Sequence, residues 1–211
     1  TCNSLSYRFW FFDFSMAQNS SAFDHSLRRG LFHPKHWLTW FSLFLLAVLA
    51  WFPVRIRDAL AHLFVNAVIR FSKKQCYVAR MNLKICFPDK TDAEIETLLR
   101  QSIDVGLKGF FALAEPTFLP PKLFMKRMHI DGQEYLDAAL ATGKPVIVMV
   151  PHTWTIDACG LYFSYSGQHF CTMMHSARNP VYDWFLNKQR TRFGGNVYER
   201  SAGLKPIIKD M

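Results

Sequence analysis

The stretch Lys144-Pro145-Val146-Ile147-Val148-Met149-Val150-Pro151-His152-Thr153-Trp154-Thr155-Ile156-Asp157 decides how this chain is read. Its first half is short, apolar on both faces and rich in β-branched residues, the pattern of a strand covered on both sides in a parallel sheet. Its second half puts a histidine at the end of that strand and a carboxylate five residues further on. Five residues along a helix turn through about 500°, so His152 and Asp157 would not share a helix face. A strand ending near His152, with Asp157 in the first turn of the next helix, brings them back together. That place is beyond the carboxyl end of a strand, where open α/β sheets bind ligands. An imidazole that is largely neutral near pH 7, with a carboxylate to fix its tautomer and offset the charge it gains, can take a proton from a hydroxyl. Acyl transfer to that hydroxyl is the chemistry the pair suggests.

Spacing alone is weak, and the chain holds its own control. Among eight histidines the pattern His-x4-Asp/Glu occurs a second time, at His129 and Glu134. Context separates the two: Met128-His129-Ile130-Asp131-Gly132-Gln133-Glu134 is a polar lead-in to a helix, whereas His152 closes a hydrophobic run. His129 is read as structural and His152 as the candidate base.

From the quoted stretch onward, strand and helix patterns alternate. The expected elements are Val146 to Val150, a helix from about Ile156, a strand from His169 to Met174, a helix over Pro180 to Phe193, a strand from Asn196 to Glu199 and a helix from near Leu204. Such alternation argues for a parallel α/β sheet. Upstream, Arg57 to Arg80 reads as one helix and Thr91 to Ala114 as another, with Thr91 and Asp92 as caps and Glu94 in the first turn. A further helix runs from near Gln133 to Gly143.

Trp37 to Val54 is a run of eighteen residues without a charge, bounded by Lys35 and His36 on one side and Arg55 and Arg57 on the other. It is just long enough to cross a hydrocarbon core of about 30 Å. Trp37, Trp40 and Trp51 lie near its ends, where indoles favour the interface. The expected organisation is an N-terminal segment over residues 1–35, a membrane-anchoring helix over 36–54, and a catalytic domain over 55–211. The fold class is α/β: anchor helix, helical segment, then a mixed or parallel sheet flanked by helices. Residues 1–15 look foreign to the rest, and translation beginning at Met16 is the expectation there.

The net charge of +9 calls for an acidic partner. Without a helix-turn-helix, zinc-finger or RNP-type signature that partner is not nucleic acid. An anionic membrane surface, a phosphorylated lipid or an acidic carrier protein fits instead. The five cysteines, Cys2, Cys76, Cys86, Cys159 and Cys171, have neither a metal spacing nor an even disulfide framework, and read as reduced thiols. There is no metal-ligand constellation, no glycine-rich phosphate loop and no nucleotide fingerprint, so no cofactor is implied.

Taken in order, Arg80-Met81-Asn82-Leu83-Lys84-Ile85-Cys86-Phe87-Pro88, Gly143-Lys144-Pro145-Val146, the His152-x4-Asp157 element, Asn179-Pro180-Val181-Tyr182-Asp183 and Arg192-Phe193-Gly194-Gly195 resemble the bacterial lipid A late acyltransferases. Trp154, with Asp in place of Glu at 157, looks most like the myristoyltransferase branch. The resemblance implies a glycerolipid-acyltransferase-like fold at the inner membrane, with the catalytic domain facing the cytoplasm. It further implies acyl-acyl carrier protein as donor and a Kdo2-lipid A precursor as acceptor. His152 would then deprotonate a 3-hydroxyacyl hydroxyl and Asp157 would orient His152.

Asn196-Val197-Tyr198-Glu199-Arg200 resembles the strand-end arginine element of the broader glycerolipid acyltransferases, which makes Arg200 the first candidate for an anionic contact and Arg178 the second. Lys188, Arg190 and Arg192 cluster on one predicted helix, facing either an acidic carrier and lipid phosphates or only water. Trp154 packs beside an acyl chain or in the core. The family continues beyond Lys209-Asp210-Met211, so the chain reads as shortened at its C-terminus, with activity reduced or lost. Two other functions stay open: a membrane-attached lipid-binding homologue without chemistry, and an acyltransferase for another membrane lipid.

Overall fold

The computed structural model describes residues 26–210. The expected start at Met16 and the thiol of Cys2 lie outside these residues. Helices dominate: α1 (Trp37–Ala50), α2 (Val54–Phe71), α3 (Lys73–Cys86), α4 (Asp92–Ala112), and the short α5 (Glu115–Phe118), α6 (Pro121–Lys126) and α7 (Gln133–Leu140). Then follow α8 (Asp157–Tyr165), β1 (Cys171–Met174), α9 (Pro180–Arg190), β2 (Asn196–Glu199) and α10 (Lys205–Asp210).

The second half carries the α/β character. β1 and β2 pair in parallel, with Cys171 opposite Asn196 and Met174 opposite Glu199. Parallel neighbours need a crossover, and α9 supplies it, as the sequence predicts. Asn179 starts α9: its side-chain oxygen accepts the amides of Val181 and Tyr182, and Pro180 occupies the first helical position, where its missing N–H costs nothing. The Asn-Pro-Val-Tyr-Asp motif is completed by Asp183, whose carboxylate accepts the Ala177 amide at 2.6 Å. After α9, Gly194 and Gly195 both take positive φ (100° and 83°), and a Cβ on Gly195 would sit 3.1 Å from the Phe170 carbonyl. That turn admits only glycine without rearrangement.

The first half is a helical layer. Thr91 and Glu94 form the predicted capping box, with the Thr91 amide donating to Glu94 Oε2 at 2.8 Å. Ile95 and Leu99 on α4 are fully buried against this layer. Arg80 on α3 reaches Glu96 on α4 through Nε at 2.9 Å and Nη2 at 2.8 Å, which gives the Arg80–Pro88 motif a role in docking the two helices.

Three expectations are corrected. The helix predicted over Arg57 to Arg80 is two helices, because Ser72 leaves the helical region (φ −105°, ψ 44°) and lets α3 fold onto α4. The uncharged run from Trp37 to Val54 is a helix of 14 residues, followed by a turn into Pro53, whose ring cannot continue a helix. No helix among the described residues is long and apolar enough to cross a membrane. Nor is Arg57 a charge flanking that run at a water interface, since it is buried and pairs with Glu115.

The third correction concerns Val146 to Val150. Residues 145–150 are irregular, and Ile147 and Met149 are 85% and 93% exposed. A strand is made by its ladder, and among the described residues β1 and β2 pair only with each other. The apolar pattern is present without a neighbour to hydrogen-bond it.

One core joins the two halves. Leu43, Leu46 and Ala50, on one stripe of α1, are buried together with Leu119, Phe124, Leu161, Val181 and Phe185. α1 is thereby part of the packed body. At its C-terminal end Arg127 donates to the carbonyls of Ala50 (3.1 Å) and Phe52 (3.4 Å). The same guanidinium pairs with Glu115, which also holds Arg57, so three buried or half-buried charges from α2, α5 and the end of α6 lock the α1–α2 turn.

Candidate active site

The site must be assembled around the His152–Asp157 segment. His152 lies in the irregular segment between the apolar run and α8, is exposed, and makes no hydrogen bond or ion pair with the other described residues. Asp157 is the first residue of α8, where a carboxylate is favoured by the N-terminal end of the helix dipole.

The expected His152–Asp157 contact is absent among the described residues. Arg190, at the end of α9, takes both carboxylate oxygens of Asp157 instead, with Nε at 2.7 Å and Nη2 at 3.0 Å. This is a bidentate, charge-assisted pair between half-buried side chains. Arg190 Nη1 also lies 2.8 Å from Met174 Sδ at the end of β1. The physical reason is reach: the last turn of α9 lies against the start of α8, whereas His152 sits on irregular chain.

Two sequence expectations about basic residues change with this. Arg190 and Arg192 are not a solvated helix face. Arg190 is committed to Asp157, while Arg192 donates to the carbonyls of Pro116 and Leu119, the latter at 3.0 Å, and lies over the Phe193 ring. Burial pulls the Arg192 guanidinium down from the usual arginine range. Lys188 covers the Trp184 ring at 5.0 Å. Arg178, in the loop after β1, and Arg200, directly after β2, are exposed, and their side chains make no hydrogen bond or ion pair among the described residues. Both follow the carboxyl ends of the two parallel strands.

Two features escaped sequence reasoning. Tyr182 lies near the Asp157–Arg190 pair, and burial pushes its phenol up, with Arg190 acting in the opposite direction and Asp157 adding to the rise. Trp154, 65% exposed, is laid on α4 at Gly106. A Cβ on Gly106 would stand 2.9 Å from Trp154 Cε2, and one on Gly109 would stand 3.2 Å from Thr155 Cγ2. The pair Gly106 and Gly109, one helical turn apart, is the signal that a chain segment approaches α4 closely.

A steric prediction follows. Gly106→Leu is expected to expel Trp154 and displace the loop carrying His152. Limited proteolysis should then cut within residues 145–155 at least about tenfold faster, and Gly106→Leu combined with Trp154→Ala should restore slow cleavage, because the smaller side chain removes the overlap. Unchanged proteolysis in the single variant would show that the notch does not hold the loop.

No group of three or more His, Cys, Asp or Glu side chains that could hold a metal ion lies among the described residues. The arrangement offers an accessible imidazole, a carboxylate with a fixed counter-charge, two uncommitted arginines at strand ends and an exposed apolar strip. That inventory suits proton abstraction from a hydroxyl beside an anionic, hydrocarbon-bearing molecule.

Comparison with known proteins gives the family. The family model for bacterial lipid A biosynthesis acyltransferases matches residues 25–211. The chain is 32% identical over 196 residues to lipid A biosynthesis acyltransferase 2 of Shigella flexneri, covering 93% of this chain and 62% of that protein. It is 35% identical to a lipid A biosynthesis acyltransferase of Haemophilus influenzae, over 83% of this chain and 55% of the relative. With the lipid A biosynthesis myristoyltransferase of Escherichia coli it shares 30% identity, over 90% of this chain and 57% of the relative. The chain thus spans little more than half the length of the curated relatives it matches. No solved structure matches it. With the matched region running from the residues before α1 through α10, the chain belongs to the bacterial lipid A biosynthesis acyltransferase family.

Proposed function

We propose that the chain transfers a fatty acyl group, myristoyl, from acyl carrier protein to a 3-hydroxyacyl hydroxyl of a Kdo2-lipid A precursor. The reaction takes place at the bacterial inner membrane, with the site facing the cytoplasm. The observation that carries this reading is the accessible, uncommitted imidazole of His152 five residues before Asp157, whose charge Arg190 balances. Family membership and the 30% identity to a protein named a myristoyltransferase support the choice of reaction and chain.

In this mechanism the substrate hydroxyl hydrogen-bonds to His152, which removes its proton as the oxygen attacks the thioester carbonyl. The C–S bond breaks, the carrier thiolate leaves, and the proton on His152 passes to it. The oxyanion formed on the way is met by the N-terminal end of α8, where the helix dipole favours negative charge. Asp157 stabilises the imidazolium, and Arg190 positions Asp157. Arg200 and Arg178 bind anionic groups of the acceptor, and Trp154 with Ile147 and Met149 lies beside hydrocarbon. Arg192 supports the site by holding the end of α9 to the α5 carbonyls.

A second reading has one specific observation in its favour. Because Asp157 is engaged by Arg190 and not by His152, a lipid-binding homologue without chemistry also fits the geometry. Incubation of the chain in membranes with acyl-acyl carrier proteins of several chain lengths, and with lipid A precursor and lysophospholipid as competing acceptors, separates these. The expected product is a lipid A precursor heavier by one myristoyl group. Acylated lysophospholipid would replace the acceptor in this account, and bound but unmodified precursor would favour the binding protein.

A further inference from the structure

The side chain of Arg178 is free, yet the backbone on both sides of it is tied down. β1 ends at Met174, so the Ala177 amide has no ladder partner, and Asp183 in the first turn of α9 accepts it at 2.6 Å. On the other side, the Asn179 side-chain oxygen accepts the amides of Val181 and Tyr182, and Asn179 Nδ2 donates to Thr39 Oγ1 on α1 at 2.8 Å. Asp183 is itself steadied from behind. Its second oxygen accepts from Asn187 Nδ2 at 3.1 Å, and Asn187 is only 3% exposed.

We infer that Asp183 is a positioning residue: through the Ala177 amide it fixes the direction in which Arg178 presents its guanidinium to an anionic group of the acceptor. The inference rests on the role of Arg178 in the function proposed above and names the residue that prepares it.

The geometry separates this role from helix capping. Asn179 already caps two of the amides at the start of α9, and Pro180 follows it, so the helix has its start signal without Asp183. One oxygen of Asp183 instead leaves the helix and reaches back six residues to Ala177, in a short, charge-assisted bond of the kind that holds a geometry. Asn187 Oδ1 is buried without a partner among the described residues, so the bond to Asp183 is what orients that carboxamide. A buried oxygen left unpaired lowers stability, and the arrangement it accompanies is a carboxylate held in one rotamer. Arg178 follows the carboxyl end of a parallel strand, where α/β sheets bind ligands. An arginine on an anchored backbone loses less freedom on binding than one on a loose loop.

The test is equilibrium binding of a Kdo2-lipid A precursor to the full chain in detergent micelles, with acyl transfer followed in parallel. Asp183→Ala should raise the Kd about fivefold, because Arg178 then samples other directions. Asp183→Asn should stay within about twofold of the unaltered chain, since its side-chain oxygen still accepts the Ala177 amide and Asn187 can turn its unpaired oxygen toward the substituted amide. Arg178→Ala should raise the Kd about tenfold. Adding Asp183→Ala to it should change the value by less than about twofold, because residues that act as one unit are not additive. Where Asp183→Ala does not melt cooperatively, Asn187→Leu takes its place: it removes the rear contact with a side chain of the same branched shape, and a rise of about threefold that vanishes in the Arg178→Ala background is expected.

An equal rise with and without the Arg178 side chain, or an Asp183→Asn variant as weak as Asp183→Ala, would show a role independent of Arg178 and overturn the inference. An unchanged Kd in Arg178→Ala, or in Asp183→Ala or the variant that replaces it, would do the same. The expected binding pattern without acylated product from the unaltered chain would leave the inference standing and end the catalytic reading. A precursor that does not bind the unaltered chain would overturn both.

Discussion

His152→Ala is expected to lower kcat by about 10²–10⁴-fold with little change in KM, the range over which a positioned general base contributes. The direction follows from the placement of the side chain. His152 is exposed and bonded to nothing among the described residues, so its removal breaks no packing and no hydrogen bond. A loss of turnover at an unchanged melting temperature therefore reports chemistry and not folding. Asp157→Asn should fall short of this effect, because its amide keeps one contact with Arg190 while losing the counter-charge for the imidazolium. Initial rates with a radiolabelled acyl chain measure both variants. Full turnover by His152→Ala would remove the base from the mechanism.

Glu115→Ala is expected to produce the largest loss of stability. Glu115 and Arg57 are each only 7% exposed at their side chains, and Arg127 is half-buried beside them. Removal of the shared anion would leave two guanidiniums facing each other, with only Asp58, 3.3 Å from Arg57 Nη2, to offset them, and with an Arg57 Nε that has no partner among the described residues even in the intact protein. Breaking a buried pair by deleting one partner costs about 3–5 kcal/mol. For a chain of this size that corresponds to a fall in Tm of about 10 °C or more. The turn between α1 and α2 should loosen first, because Arg127 also holds the carbonyls of Ala50 and Phe52. Thermal unfolding followed by circular dichroism tests this. A melting temperature within about 2 °C of the unaltered protein would show the cluster to be dispensable.

Much of the fold is legible where local chemistry sets it. Thr91 with Glu94 announces the start of α4, and Asn179-Pro180 announces that of α9. The β1–α9–β2 crossover is readable because a short strand, a capped helix and a second strand follow one another with only short connections between them. What is not legible is non-local. Ser72 carries no strong breaking signal, and the reason for the break lies in how α3 packs on α4. Val146 to Val150 has every local mark of a buried strand, but pairing is a property of the neighbour, and none of the described strands lies beside it.

The candidate site divides in the same way. His152 and Asp157 are found from their spacing and context within one short stretch. The partner of Asp157 comes from Arg190, on an element separated from it by a strand and a loop, and no periodicity links the two. Arg192 reads from sequence as surface charge because nothing local reveals the Pro116 and Leu119 carbonyls waiting for it. Trp154 and Thr155 rest on Gly106 and Gly109 of α4, a contact across the fold that no local pattern announces.

Mass spectrometry of the lipid formed when the chain meets a Kdo2-lipid A precursor and myristoyl-acyl carrier protein tests the central claim most directly. The account predicts a precursor heavier by one ester-linked myristoyl group, formed by the unaltered chain and absent with His152→Ala. A precursor recovered at its original mass from both, or acylated equally by both, would contradict it.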